Sequence, residues 1–170
     1  MVFKLSSREE TIIETIKRNP GIRFTEIMTN VGLKNGVLSH YVRKLEDSGS
    51  IHADRSPRVV RFYSPDLSPE EQKLVTRLRQ ETPKRILVVL LKQKQLTFKQ
   101  IVATIKKSPA TVSFYLSNLV EDEIISTKRS DKKTYYSVKE PERILALIDE
   151  YHPDIVQKTS ENFADIISSL

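Results

Sequence analysis

The chain has 170 residues, no cysteine and a formal charge of +6, with an isoelectric point near 9.5. The missing cysteine excludes disulfides, thiolate metal sites and cysteine redox sensing. No apolar run reaches the ~18 residues needed to cross a bilayer, and the first residues contain no secretory apolar stretch. We therefore expect a cytoplasmic protein that is not membrane-bound, has room for one ordinary domain or two small ones, and has an anionic partner.

The first predicted elements are three short helices. Ser7 with Glu10 has capping-box spacing and predicts the start of the first helix. An Asn-Pro-Gly sequence at 19–21 predicts its end. Apolar residues at helical spacing predict a second helix over about residues 24–31 and a third over about residues 35–48.

A hairpin and a connecting helix are predicted next. The β-rich stretches 51–55 and 59–63 flank a short Ser56-Pro57 turn, which is typical of a hairpin. Ser68 and Pro69 then begin a helix of about 13 residues. We expect residues 67–82 to form this connecting helix rather than a flexible tether.

The whole first pattern occurs a second time. Residues 11–65 match residues 85–139 without a gap, at an offset of 74. Identical pairs include Ile12 with Ile86, Phe24 with Phe98, Ser39 with Ser113, Tyr41 with Tyr115 and Arg55 with Arg129. Because this period is too long for a solenoid, it predicts a small domain present twice, at residues 1–66 and 83–139.

The second copy has clearer helix starts than the first. Thr97 with Gln100 forms a capping box for its second helix, and Ser108 followed by Pro109 predicts the start of its third. A hairpin follows around the turn at 130–131.

Residues 140–170 form an acidic tail. Its net charge is −5, against +8 for residues 83–139. Proline begins each of two predicted helices there, and the last has an apolar stripe at three- to four-residue spacing, formed by Val156, Phe163, Ile166, Ile167 and Leu170. Because such a stripe needs a cover, we expect a homodimer through the C-terminal helices.

The predicted fold is mostly α with small β-hairpin wings, in the α+β class: two tandem winged helix-turn-helix domains with a linker and C-terminal helices. Residues 108–119 read Ser-Pro-Ala-Thr-Val-Ser-Phe-Tyr-Leu-Ser-Asn-Leu. This run resembles the recognition helix of ArsR-type winged-helix transcriptional regulators, whose pattern is roughly Ser-x-x-Thr-Val-Ser-x-His-Leu-x-x-Leu. Residues 38–45 resemble it more loosely. Tandem winged helices with an acidic helical tail are also similar to archaeal regulators.

Two tyrosines depart from the family pattern. Tyr41 and Tyr115 stand where the family usually has histidine, and we interpret both as residues at the edge of the core.

The resemblance implies binding to double-stranded DNA, with the third helix of each copy in a major groove and the hairpin on neighbouring phosphates. Candidate recognition-helix residues are Lys34, Asn35, Ser39, His40 and Arg43 in the first copy and Lys106, Lys107, Ser108, Thr111, Ser113, Phe114 and Ser117 in the second. Candidate wing residues are Arg55 and Arg58 in the first copy and Lys128, Arg129, Lys132 and Lys133 in the second.

Other functions stay open at this stage. Tandem winged helices also serve as protein–protein scaffold subunits, and an exposed Phe114 would suit packing against another subunit. RNA binding is a third alternative. Asp149 and His152 have ligand-like spacing but no second pair, so we expect no metal and no cofactor. No catalytic constellation is present, and we expect no enzymatic activity.

Overall fold

The computed structural model describes residues 5–151, and the last predicted helix and its apolar stripe lie outside this range. The chain divides into two compact units between Gln72 and Lys73. We call them the first unit and the second unit.

The first unit follows the predicted order of helices. Helix α1 spans Ser7–Arg18, strand β1 Ile22–Arg23, helix α2 Phe24–Val31 and helix α3 Asn35–Asp47, followed by strands β2 at His52–Ser56 and β3 at Val59–Tyr63. The strands form an antiparallel sheet in the order β1-β3-β2. Helix α4, Pro69–Leu78, follows the sheet, and the boundary between the two units falls within it.

The second unit repeats this plan at the predicted offset. Its elements are α5 at Glu81–Gln93, β4 at Gln95–Thr97, α6 at Phe98–Ile105, α7 at Pro109–Glu121, β5 at Ile125–Ser130, β6 at Lys133–Val138 and α8 at Pro141–Tyr151. Helices α6 and α7 begin and end 74 residues after α2 and α3. The β4-β6-β5 sheet is also antiparallel. The fold class is confirmed as mostly helical, with two small sheets in tandem domains.

Each sheet has a third strand that the sequence did not predict. Ile22 pairs with Phe62, and Leu96 pairs with Tyr136 at the corresponding position of the second unit. Strand β1 has two residues and β4 has three, which is too short for a two-residue alternation to be recognised. These strands join the hairpin to the helix-turn-helix of the same unit.

The first helix begins one residue earlier than its predicted capping box. Ser6 is the N-cap: its side chain accepts a hydrogen bond from the Glu9 amide at 3.3 Å, and its own amide donates to Glu9 at 2.6 Å. The Ser7–Glu10 assignment was therefore wrong, because Ser6–Glu9 has the same spacing one residue earlier. The predicted caps at Thr97 and Ser108 are confirmed.

Each unit has its own core. Ile12, Ile16, Ile27 and Leu38 are fully buried in the first unit. The core of the second unit is larger because α4 and α8 add apolar side chains to those of the repeated elements. These are Leu74, Leu78, Ile144, Leu145, Leu147 and Ile148. The apolar face of α8 is therefore already covered within its own unit.

Candidate nucleic-acid interface

The third helix of each unit buries one face and exposes the other. In α7 the buried positions are Val112, Leu116 and Leu119, and in α3 they are the equivalent Leu38, Val42 and Leu45. Spacings of four and three residues keep these side chains on one stripe. The remaining positions form the outer faces of α3 and α7. The recognition-helix candidates named from the sequence belong to these two helices and the residues just before them.

The outer face of α7 has small hydroxyl side chains and one large ring. Ser108 caps the helix by accepting a hydrogen bond from the Thr111 amide at 3.2 Å, and their hydroxyls are 2.8 Å apart. Thr111 is half-buried, whereas Ser113, Phe114 and Ser117 are exposed. Small hydroxyl side chains at a helix start allow phosphate oxygens to approach closely.

The side chains on the outer face of α3 are longer and more polar than those on the outer face of α7. Lys34 is at the N-cap position but makes no side-chain cap. The Ser39 hydroxyl donates to Asn35 at 3.2 Å, and His40 and Arg43 are exposed. Amide and guanidinium groups are those that read base edges by paired hydrogen bonds.

The wing of the second unit carries four exposed cations. Among residues 5–151, the described ion pairs include none from Lys128, Arg129, Lys132 or Lys133. Asp131 and Lys132 form the two-residue turn, with φ of 50° and 61°, as a type I′ hairpin turn requires. Strand β5 also contacts α7, so this basic hairpin adjoins the recognition helix.

The wing of the first unit is partly neutralised. Arg55 forms a two-point contact with Glu46 of α3, with Nη1–Oε1 and Nη2–Oε2 distances of 2.8 Å each. The hydrogen bond that the Arg55 guanidinium donates to the Glu46 carboxylate raises the pKa of Arg55 above its ordinary value. Arg58 is exposed at the turn. The two units therefore differ in the positive charge that their wings offer to a ligand.

Lys106 and Lys107 lie in the turn between α6 and α7. Lys106 has the left-handed conformation, with φ of 56°, and ends α6. Both side chains are exposed. They therefore lie directly before the N-terminus of α7.

Two ion pairs that the sequence did not predict hold the recognition helices in place. In the second unit the Arg77 guanidinium of α4 contacts the Asp122 carboxylate at the end of α7 at 2.6 Å, and both side chains are largely buried. In the first unit, Lys44 of α3 contacts the buried Glu9 of α1 at 2.7 Å. Hydrogen bonds from Lys44 and Ser6 lower the pKa of Glu9 to about 2. These partners are far apart in sequence, so spacing carries no signal for them.

Tyr41 and Tyr115 lie at the edge of the core as predicted. Both are half-buried and pack against the core of their own unit. Each also contacts the exposed ring before it edge-on, His40 in the first unit and Phe114 in the second.

Two family models match separate parts of the chain. Residues 6–75 match an N-terminal HTH domain, and residues 82–127 match the bacterial regulatory protein, arsR family. No curated protein matches the chain.

Several solved structures are similar at low identity. The transcriptional repressor PagR of Bacillus anthracis is 23% identical, with a TM-score of 0.42 over 46% of this chain and 88% of its own. The repressor BigR from Xylella fastidiosa is 21% identical, with a TM-score of 0.40 over 45% and 81%. A homodimeric winged helix-turn-helix DNA-binding domain from Mycobacterium bovis is 16% identical, with a TM-score of 0.42 over 56% and 82%.

The chain thus contains two helix-turn-helix domains in tandem. The second of them matches the ArsR family of bacterial regulatory proteins over residues 82–127. Within residues 5–151, no helix has the length and apolarity to span a membrane. The same residues contain no cluster of three histidine or carboxylate side chains that would hold a metal.

Proposed function

We propose that this protein is a sequence-preferring regulator that binds double-stranded DNA with both of its winged-helix units. Each unit places its third helix in a major groove and its wing on the neighbouring phosphates. The candidate residues named from the sequence supply the contacts, with the wings gripping the backbone and the outer faces of α3 and α7 reading bases.

The observation that supports this proposal most is the basic hairpin beside α7. Four exposed cations with no described ion pair lie on a strand pair that contacts the helix. A solvated edge strand also carries lysine, but here the hydroxyl-rich start of α7 and the preceding Lys106 and Lys107 extend the same chemistry. Exposed cations and small hydroxyl side chains together suit a chain of phosphates.

We also propose that the active form is a homodimer. The apolar face of α8 is covered within its unit, so the proposed interface falls on the stripe from Val156 to Leu170 in the acidic tail. Replacing Ile166 and Ile167 by serine is expected to give a monomer in analytical ultracentrifugation of the full chain. A dimer unchanged by these substitutions would contradict this interface.

The test separates contacts to the phosphate backbone from contacts to the bases. A preferred duplex is first selected from a random pool, and its affinity is then compared with that of a scrambled duplex at several salt concentrations. Arg129→Ala with Lys132→Ala is expected to weaken both duplexes alike and to reduce the salt slope by about 1.8, since each phosphate contact contributes ~0.9. Ser113→Ala or Arg43→Ala is expected to weaken the preferred duplex more than the scrambled one.

A matched control removes two exposed cations elsewhere in the second unit, Lys73 of α4 and Lys92 of α5. Their replacement by alanine changes the net charge equally and is expected to leave the salt slope nearly unchanged. The proposal fails if both double variants behave alike, or if the wild-type protein binds no duplex at low salt. The second result would favour the protein–protein scaffold.

A further inference from the structure

One exposed ring on the recognition surface has no role in phosphate binding. Phe114 is 61% exposed, the most of any large apolar side chain in the described residues. Its neighbours on the outer face of α7, Ser113 and Ser117, are small and polar. Burial of an aromatic ring is strongly favourable, so this ring is suited to a partner with an apolar feature.

The ring is also held in a defined orientation. The centroids of Phe114 and Tyr115 are 5.1 Å apart at an interplanar angle of 74°, and Tyr115 is itself packed against the core. In the first unit, His40 and Tyr41 repeat this edge-on arrangement at 5.6 Å and 67°. The repetition at the offset of 74 indicates that the following tyrosine positions an exposed ring on each outer face. A pre-oriented ring loses little entropy on binding.

The charge around Phe114 favours DNA over a second copy of this protein. Lys106 and Lys107 precede α7, and the basic wing adjoins it, so residues 83–139 carry +8. An identical surface would be repelled, whereas a polyanion would be attracted. In a major groove the apolar feature available to a ring is the C5-methyl group of thymine.

We propose that Phe114, oriented by Tyr115, contacts a thymine methyl group and sets the base preference of the second unit. This inference rests on the proposed DNA-binding function and adds a specific base to it. His40 has a polar imidazole at the same position, so the first unit has no such methyl dependence. Tyr115 is a positioning residue that acts through the ring of Phe114.

The experiment replaces thymines by uracil, one at a time, in the preferred duplex, which removes the methyl group and keeps the base pair. For the wild-type protein we expect about a fourfold loss of affinity at one or two thymines, the value of one buried methyl. Phe114→Ser is expected to abolish the difference between thymine and uracil at those positions. Tyr115→Leu keeps an apolar side chain against the core and is expected to reduce that difference.

Two further variants keep the proposal testable even if the Phe114→Ser protein does not fold. Val120, 38% exposed at the far end of α7, gives the control: Val120→Ser is expected to keep the wild-type response to uracil. His40→Phe is expected to create methyl dependence at a new thymine read by the first unit.

The possible results distinguish a failure of the role of Phe114 from a failure of the proposed DNA-binding function. A wild-type protein that prefers one duplex but ignores every uracil would overturn the role of Phe114 and leave DNA binding intact. No preference among duplexes would defeat the proposed function itself. If Phe114→Ser instead changes the oligomeric state, Phe114 is a self-association residue and the proposal is wrong.

Discussion

The two units have the same fold but offer different surfaces to a ligand. In the first unit the wing arginine Arg55 is paired with Glu46 of the recognition helix. The equivalent wing residue of the second unit, Arg129, is exposed and has no described ion pair among residues 5–151. The two units share the apolar positions that make the fold and also this wing arginine, but the position of Glu46 is occupied by Val120 in the second unit. The core sets the scaffold, and the outer faces set what each copy binds.

The units also differ in how they end their helices. The first unit has glycine in the left-handed conformation at Gly32 and Gly49, with φ of 66° and 71°. At the equivalent positions, the second unit has Lys106 and Glu123, with φ of 56° and 60°. A side chain in this conformation costs about 1 kcal/mol or more, so the second unit tolerates strain that the first avoids.

Exchanging these residues is expected to change the stability of the two units in opposite directions. Glu123→Gly is expected to stabilise the second unit by about 1 kcal/mol, because its ion pair with Lys139 is long, at 3.9 Å, and exposed. Gly49→Glu is expected to destabilise the first unit by a similar amount, since a Cβ added at Gly49 meets nothing within 4 Å and the backbone strain at positive φ sets the cost.

Amide hydrogen exchange read separately for each unit measures both changes. Gly36 has no positive φ and lies in an open position, so Gly36→Ala is the control and is expected to stabilise α3 slightly. Equal protection in Glu123→Gly and wild type would show that the left-handed residue is not strained.

A smaller effect is expected from releasing Arg55. Glu46→Gln removes the carboxylate that holds this guanidinium, so duplex binding is expected to tighten and the salt slope to steepen by up to about 0.9. Asp54→Asn makes the same charge change on the exposed wing without touching the pair. Equal gains from the two variants would mean that net charge, and not Arg55, decides the affinity.

A further effect is expected in acid, at Glu9 of the first unit. The folded-state pKa of Glu9 is lowered from 4.5 to about 2, so the carboxylate stabilises the fold fully above about pH 4.5 and loses this contribution as the pH falls toward 2. Glu9→Gln is expected to flatten the acid dependence of unfolding, measured by circular dichroism. The neighbouring exposed Glu10→Gln is expected to leave it unchanged. The second unit has Pro83 at the position of Glu9, so it has no counterpart of the Glu9–Lys44 ion pair there.

Much of the fold was predictable because it depends on local patterns. The offset of 74, the helices at 24–31 and near 35–48, and the caps at Thr97 and Ser108 all follow from spacing along the chain. The short strands β1 and β4 were missed because pairing across the unit, not their own sequence, makes them strands.

The positions of the candidate residues were predictable from the sequence, but their ion pairs were not. Exposure of Ser113, Phe114 and the second wing follows from which helix positions are apolar. The Glu46–Arg55 and Arg77–Asp122 pairs depend on which elements meet in three dimensions, so residue spacing along the chain cannot predict them. Arg55 and Arg129 are therefore equivalent in the sequence, but the structure shows an ion pair for Arg55 and none for Arg129 among the described residues.

The proposed function requires that these surfaces bind a polyanionic duplex through phosphate contacts. The most direct measurement is the affinity of the full chain for duplex DNA as a function of salt concentration. If the four cations of the second wing each neutralise one phosphate, a log–log plot will be linear with a slope of about −3.5 or steeper. An affinity that does not change between low and physiological salt would contradict the claim.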